Sequence, residues 1–308
     1  MALDVDGSTL TSPARPAWLP QSVFPFQSRF VSIEGKRIHY IDEGSGPALL
    51  FVSAGRWSFM FRDVILRLQS EFRCLTLDFP GSGLSPEVED YEQSVRVNAW
   101  ILDGFIDALD LQDITMVVHD AGGPIGFLIA TMRPERFRAL VISNAFGWPL
   151  VEYPAARRKI RILENPLISV VDTNTNFLAR LTASSNGVGR HLARTDRKAF
   201  LSPWKSRGVR RATRQMLASL GGVDALMSQL ERLLQTRLAD LPVLTVFGAK
   251  SDPYGWQERF GRIFRNVTAV RLADGHRFPF NDDPDRYATA ISEWWQERVA
   301  SGKGDRHE

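Results

Sequence analysis

Short apolar runs recur along this chain, and they are too continuous to alternate between two faces. Pro47–Ser53 (PALLFVS), the start of Phe72–Ser85 (FRCLTLDFPGSGLS), Ile114–Asp120 (ITMVVHD), Arg138–Phe146 (RALVISNAF) and Pro242–Pro253 (PVLTVFGAKSDP) are such runs, and Val267–His276 closes the series. A strand that alternates can leave one face in water, whereas a strand that is apolar throughout must be covered on both. Strands of that kind pair in parallel, and each crossover needs a helix. Helical periodicity falls where those crossovers are required, at about 91–110, 123–132 (stopped near Pro134) and 284–299. The pattern predicts an α/β fold, a mostly parallel, doubly wound sheet. A hairpin over Arg29–Gly44, turning at Glu34-Gly35, precedes it.

One stretch breaks the rhythm. Residues 150–238 hold no convincing strand and are rich in Arg, Leu and helix-compatible residues. An insertion there, with the sheet resuming at Pro242, reads as a helical cap over the carboxyl edge of the sheet. The expected organisation is therefore a lead-in (1–22), a first core part (23–149), the cap (150–238), a second core part (239–299) and a frayed tail (300–308).

Composition narrows the function classes. A single cysteine, Cys74, excludes an intrachain disulfide and fits a reducing compartment. No apolar run approaches the roughly 18–20 residues of a membrane span. The N-terminal stretch has early acids and no apolar segment, unlike a secretory signal. The expectation is a cytoplasmic protein, monomer or homodimer, with no membrane partner. Net charge is +3, but Val151–Asp240 holds 13 Arg and 3 Lys against 7 acids, a net of +9, which leaves −6 elsewhere. That block can steer an anionic small molecule, or it is a solvated helical face. No basic–aromatic module points to nucleic acid, and no cofactor or metal is expected.

Sites in open parallel sheets lie just beyond the carboxyl ends of the strands. Three ionisable residues fall there: Asp120 after ITMVVH, Asp252 four residues past Gly248, and His276 after LADG. Acid, acid, histidine is the order of an α/β-hydrolase triad of nucleophile, orienting acid and base, with aspartate in the nucleophile's place. Ala121, Gly122 and Gly123 supply the small neighbours that a strand-to-helix elbow needs, while Val118 stands where a glycine is usual. Taken alone, Asp120 could be a turn residue or helix N-cap, and Asp252 a turn residue before Pro253. An aspartate nucleophile displaces a leaving group at carbon to give an ester. Water activated by His276 would then attack that ester, with Asp252 holding the imidazole tautomer.

The segments PFQSRFVSIEGKRIHYIDEGSGP, LDFPGSGLS, VVHDAGGPIG, WQERF and DDPDRYATAI resemble those of the haloalkane dehalogenases, within the α/β-hydrolase fold. The resemblance covers about 25–150 and 240–297 and implies that fold, an aspartate nucleophile and no cofactor. The departures fall on the leaving-group pocket. The family's His-Gly is matched by Val52-Ser53, its halide-holding Asn or Glu by Ala54, and its halide-holding Trp by Ala121. Backbone N–H groups at Ala54 and Ala121 are then the expected oxyanion hole. Ser53, Arg56, Trp57 and Trp148 are the candidate substrate contacts. Arg56 could pair a carboxylate or phosphate, or lie on the surface; the tryptophans could donate to a leaving group, or pack. The resemblance thus implies a hydrolase acting on a small, non-standard substrate, and the basic block with Arg56 suggests an anionic one. Epoxide hydrolases share the nucleophile, but their branch uses two cap tyrosines, and the cap has one, Tyr153. Lactone opening, decarboxylation or elimination on the same fold, or a catalytically inactive binding protein, are the other readings.

Overall fold

The computed structural model describes residues 14–89, 91–185 and 187–301. β1 (Arg29–Ile33) and β2 (Lys36–Glu43) form the expected hairpin, with Glu34 and Gly35 both at positive φ, 50° and 71°. β3 (Ala48–Val52), α1 (Arg62–Leu68), β4 (Arg73–Leu77), α2 (Val95–Ala108), β5 (Ile114–His119), α3 (Gly122–Met132) and β6 (Phe137–Ser143) follow. α2 starts where Ser94 accepts a hydrogen bond from the Val97 amide at 3.3 Å, a side-chain cap for an otherwise unpaired donor.

Between β6 and β7 the described residues hold only helices and turns: α4 (Pro154–Glu164), α5 (Pro166–Thr175), α6 (Phe177–Thr182), α7 (Arg194–Leu201), α8 (Arg207–Ala218), α9 (Asp224–Arg237) and short 3₁₀ turns. β7 (Val243–Gly248), α10 (Trp256–Ile263), β8 (Val267–Leu272), α11 (Pro279–Asp282) and α12 (Pro284–Trp294) complete the fold, and α12 runs on into a π-helical segment to Ala300. The sheet order is β1-β2-β4-β3-β5-β6-β7-β8, antiparallel at β1/β2 and β2/β4 and parallel elsewhere. It is the expected doubly wound sheet.

Both faces of the central strands are covered, as their continuous apolar runs require. Leu50 and Val52 of β3 and Met116 and Val118 of β5 pack with α2, α3 and α10 on one side. Leu49, Phe51 and Val117 pack with α1 and α12 on the other. The lead-in is tied down where it is described. Leu19 is fully buried, and the Arg15 guanidinium donates to the carbonyls of Phe24 and Phe26 at 2.6 Å each. Residues 1–13 and the tail 302–308 lie outside the described residues.

One arginine joins the inserted helices to the core. Arg259, on α10, pairs with Glu152 at 2.6 Å and with Glu231 on α9 at 2.7 Å. It also donates to the Tyr153 hydroxyl at 2.9 Å, and its guanidinium lies over the Trp148 ring at 4.5 Å. No helix of the described residues is long and apolar enough to cross a membrane.

Candidate active site

The fully buried β5 delivers Asp120 at its carboxyl end. There the chain turns sharply, and Asp120 sits in the left-handed region at φ 51°, unusual for a residue with a side chain. The glycines behind it explain why the turn is tolerated. A methyl group on Gly122 would be driven into the Val52 carbonyl oxygen, and one on Gly123 would stand 2.9 Å from both the Ala145 Cβ and the Phe146 carbonyl. α3 is thereby pressed against the ends of β3 and β6, and the loop from Ser53 to Trp57 abuts the elbow. Ala54 and Ala121, the expected oxyanion positions, are both buried there.

Two guanidiniums converge on this carboxylate. Arg277 Nη2 donates to Asp120 Oδ2 at 2.5 Å, and Arg56 Nη2 approaches the same oxygen at 3.9 Å. Burial alone would raise the Asp120 carboxyl, but Arg277 and then Arg56 outweigh it and bring it down to about 2. Burial lowers Arg56 to about 10, which leaves it charged at neutral pH. Arg56 is therefore no surface arginine: it is 9% exposed, with its Cζ 5.8 Å from the Phe278 ring.

His119 is fixed by its surroundings. Its Nδ1 lies 2.9 Å from the Ser143 carbonyl, an oxygen that can only accept, so the proton is on Nδ1. Burial lowers this imidazole to about 4, so it is neutral. Its ring packs against Phe278 and Phe280.

The other two members of the expected triad lie differently. Asp252 Oδ1 accepts from the Trp256 amide at 2.8 Å, and Oδ2 from the Gln257 amide at 3.0 Å. Its carboxylate thus neutralises the N-terminus of α10. Asn144, at the end of β6, holds the loop before it by donating to the Ser251 carbonyl at 3.0 Å. His276 is half-buried, and its backbone N–H donates to Asp282 Oδ2 at 2.6 Å. Its imidazole makes no hydrogen bond to Asp120 or Asp252 among the described residues. The structure brings Asp120, Arg56 and Arg277 together; among the described residues no hydrogen bond or ion pair joins Asp252 or His276 to Asp120 or to each other.

The remaining candidates divide. Ser53 is buried and its hydroxyl has no hydrogen-bond partner. Trp57, expected as a donor to a leaving group or as packing, packs: its Nε1–H is taken by the Phe200 carbonyl at 3.0 Å, and its ring sits among Trp18, Phe24 and Phe59. Trp148 lies between Arg259, Trp256 and Phe260 at the junction with the inserted helices, its Nε1–H unpartnered. Sequence reasoning missed Arg277, the residue directly after His276, and Asp282, which anchors that loop.

A second strand-end aspartate shows what a purely structural carboxylate looks like. Asp78, after β4, is fully buried and accepts from the Ser58 amide at 2.7 Å and the Leu84 amide at 2.9 Å, with His39 Nδ1 at 2.8 Å. Two of its three partners are backbone amides, locked in place. Asp120 is held by side chains, one of them half-exposed Arg277.

Residues 44–290 match the model of the alpha/beta hydrolase family. The chain belongs to that family. Within it the relatives are dehalogenase-like. Haloalkane dehalogenase 2 of Mycobacterium tuberculosis is 30% identical over 282 residues, 88% of this chain and 96% of the relative. A cis-3-alkyl-4-alkyloxetan-2-one decarboxylase of Shewanella oneidensis is 32% identical over 190 residues, 60% of each chain. The crystal structure of haloalkane dehalogenase DbeA from Bradyrhizobium elkanii superposes with a TM-score of 0.79 at 20% identity, over 90% of this chain and 99% of that one. This likeness shows the fold of the dehalogenase-like branch.

Proposed function

We propose that this family member uses Asp120 as a covalent nucleophile to open a strained C–O bond, as in a lactone or epoxide. The observation that carries the reading is an ionised carboxylate set in a left-handed elbow with two guanidiniums beside it. No base is needed to deprotonate it. One Asp120 oxygen attacks carbon, the new C–O bond forms, and the ring C–O bond breaks with its electron pair on the departing oxygen. That oxygen stays attached to the substrate as an alkoxide or carboxylate, and Arg56 and Arg277 offset its charge. They take the place of the halide-holding side chains that Ala54 and Ala121 lack.

An oxetan-2-one ring can finish without a base. Attack at the alkyl carbon frees a carboxylate; it leaves as carbon dioxide, its electron pair forms the C=C bond, and Asp120 departs as carboxylate. No proton moves and no water is consumed. The observation that favours this completion is that Asp120 is bonded to a guanidinium, which supplies no base, and the Shewanella relative is named for such a reaction. Hydrolysis is the second reading, favoured by the chain order Asp120, Asp252, His276, with His276 as base and Asp252 as its orienting acid.

The test is turnover of a 3,4-dialkyl-oxetan-2-one, an alkyl epoxide and 1-bromobutane in ¹⁸O-labelled water. Alkene with carbon dioxide supports the first completion, and labelled hydroxy acid or diol the second. A His276→Gln variant adds a check by intact mass: hydrolysis through His276 predicts an accumulating adduct on Asp120, while decarboxylation predicts unchanged turnover. Halide release from 1-bromobutane is expected to be poor. Undiminished turnover of any of these substrates by Asp120→Ala would sink the nucleophile assignment.

A further inference from the structure

We infer that Arg56 and Arg277 form an exchangeable anion site, filled in the free protein by the side chain of Asp120 and in the substrate complex by a carboxylate carried or released by the substrate. The inference rests on the nucleophile reading and names its substrate class.

The charge balance around Asp120 is uneven. Two guanidiniums face one carboxylate, and the neighbouring His119 is neutral. Asp120, at 3.9 Å, is the acid acting on Arg56, and the other charge acting on it is Arg277, which repels it. A buried guanidinium short of counter-charge is costly, and a second anion relieves that cost.

Donors stand ready for it. Arg56 Nε is buried without a hydrogen-bond partner, and its Nη1 reaches only the Gly55 carbonyl at 3.2 Å. The Ser53 hydroxyl, three residues earlier on the same loop, is also buried and unpartnered. The planar fork of arginine matches the two oxygens of a carboxylate.

The two arginines also differ in freedom. Arg56 is buried, whereas the Arg277 side chain is 49% exposed and bonded at one point. Arg277 can swing from Asp120 to an incoming anion without disturbing the core. While it stays, its charge draws electron density from the nucleophile. A substrate carboxylate gives the guanidiniums another partner and releases Asp120 for attack, so acids should be handled better than their neutral esters.

The experiment needs no substrate. Asp120→Ala removes the resident carboxylate and leaves a space of its size beside both guanidiniums. Acetate and its neutral isostere acetamide are titrated into the native protein, Asp120→Ala, and the double variant Asp120→Ala with Arg56→Met. Heat of binding and melting temperature are followed. The expected result is acetate binding at least tenfold tighter in Asp120→Ala than in the native protein. Melting temperature should rise with acetate and not with acetamide, and the double variant should lose the effect. Should Asp120→Ala fold only when acetate is present, that is the same result in stronger form. Should it fold under neither condition, Asp120→Gly and Asp120→Ser also vacate the carboxylate's place and must show the same preference for acetate over acetamide. Equal binding by native and variant, equal binding of acetate and acetamide, or full binding by the double variant overturns the anion site. Turnover is not measured, so this outcome is independent of the nucleophile test.

Discussion

The turn after β5 and the loop after β8 both bring charged side chains to the carboxyl edge of the sheet on closely packed backbone, and they differ in how far the side chain is buried. At the first, glycines press α3 against β3 and β6, and Asp120 has nowhere else to be. The second is packed as closely where it leaves β8: a methyl group on Gly248 would be driven into the His276 carbonyl oxygen, and one on Gly275 would stand 3.0 Å from the Gly248 Cα, while the His276 amide donates to Asp282. The group that this loop sends to Asp120 is the Arg277 guanidinium, while the His276 imidazole hydrogen-bonds neither Asp120 nor Asp252 among the described residues. Close packing fixes the backbone at both places; Asp120 is buried with it, whereas the Arg277 side chain stays 49% exposed.

The contrast can be broken at its strongest point. If the rigid turn exists to present Asp120, Asp120→Ala should lower turnover by about 10⁴-fold or more on whichever substrate the native protein accepts. Steady-state rates after a check of folding by circular dichroism decide this.

Next comes the rigidity itself. Gly122→Ala should destabilise by about 3 kcal/mol or more, because the added methyl meets backbone that cannot move aside. Gly261, on α10, has nothing within 4 Å of an added Cβ, so Gly261→Ala should stabilise by about 0.5–1 kcal/mol. Urea unfolding of both variants against the native chain gives the difference.

The third expectation separates capping from catalysis at Asp252. Losing its two amide contacts should cost about 1–2 kcal/mol in Asp252→Ala, read as a drop in melting temperature. If the residue only caps α10, kcat stays within a few-fold of native. A loss near 10⁴-fold, the scale for a displaced orienting acid, would restore it to the triad.

The smallest effect is in pH. The Asp120 carboxyl, at about 2, lies below the unfolded value of about 3.9. Its contribution to stability is therefore fully present above about pH 4 and is lost only as pH falls through about 2. A kcat/KM profile should show no acid limb from Asp120 between pH 4 and 7. An acid limb in that range that vanishes in Arg277→Met would show that Arg277 does not hold the carboxyl down.

Much of this was legible in the sequence. Apolar runs without alternation specify strands covered on both faces, and a run ending in Asp-Ala-Gly-Gly specifies the elbow. The strand-free stretch of 150–238 is where the structure places α4 to α9, between β6 and β7. Arg277 was not legible, because neither composition nor periodicity registers which of two adjacent residues in a loop reaches Asp120. Nor was the work of Trp57, whose partners Trp18, Phe24 and Phe200 are distant along the chain. Asp252 was placed correctly beyond β7, but its proximity to the amides of Trp256 and Gln257 ties it to α10, a local competitor for its lone pairs.

Arg259 has a consequence for how the chain unfolds. It grips Glu152 and Tyr153 where the inserted helices begin and Glu231 near where they end. The whole insertion is thus a closed loop, drawn shut by a non-covalent cross-link on the core. A disulfide there would act by restricting the conformations of the unfolded chain. Ion pairs give no such restriction once broken, so the closure entropy of that long loop is regained in full only when every such grip fails. Arg259 shares that closure with other ties, among them Arg62 to Asp196 at 3.0 Å and Arg237 to the Thr131 carbonyl at 3.0 Å, so its release alone should loosen the inserted helices without freeing them.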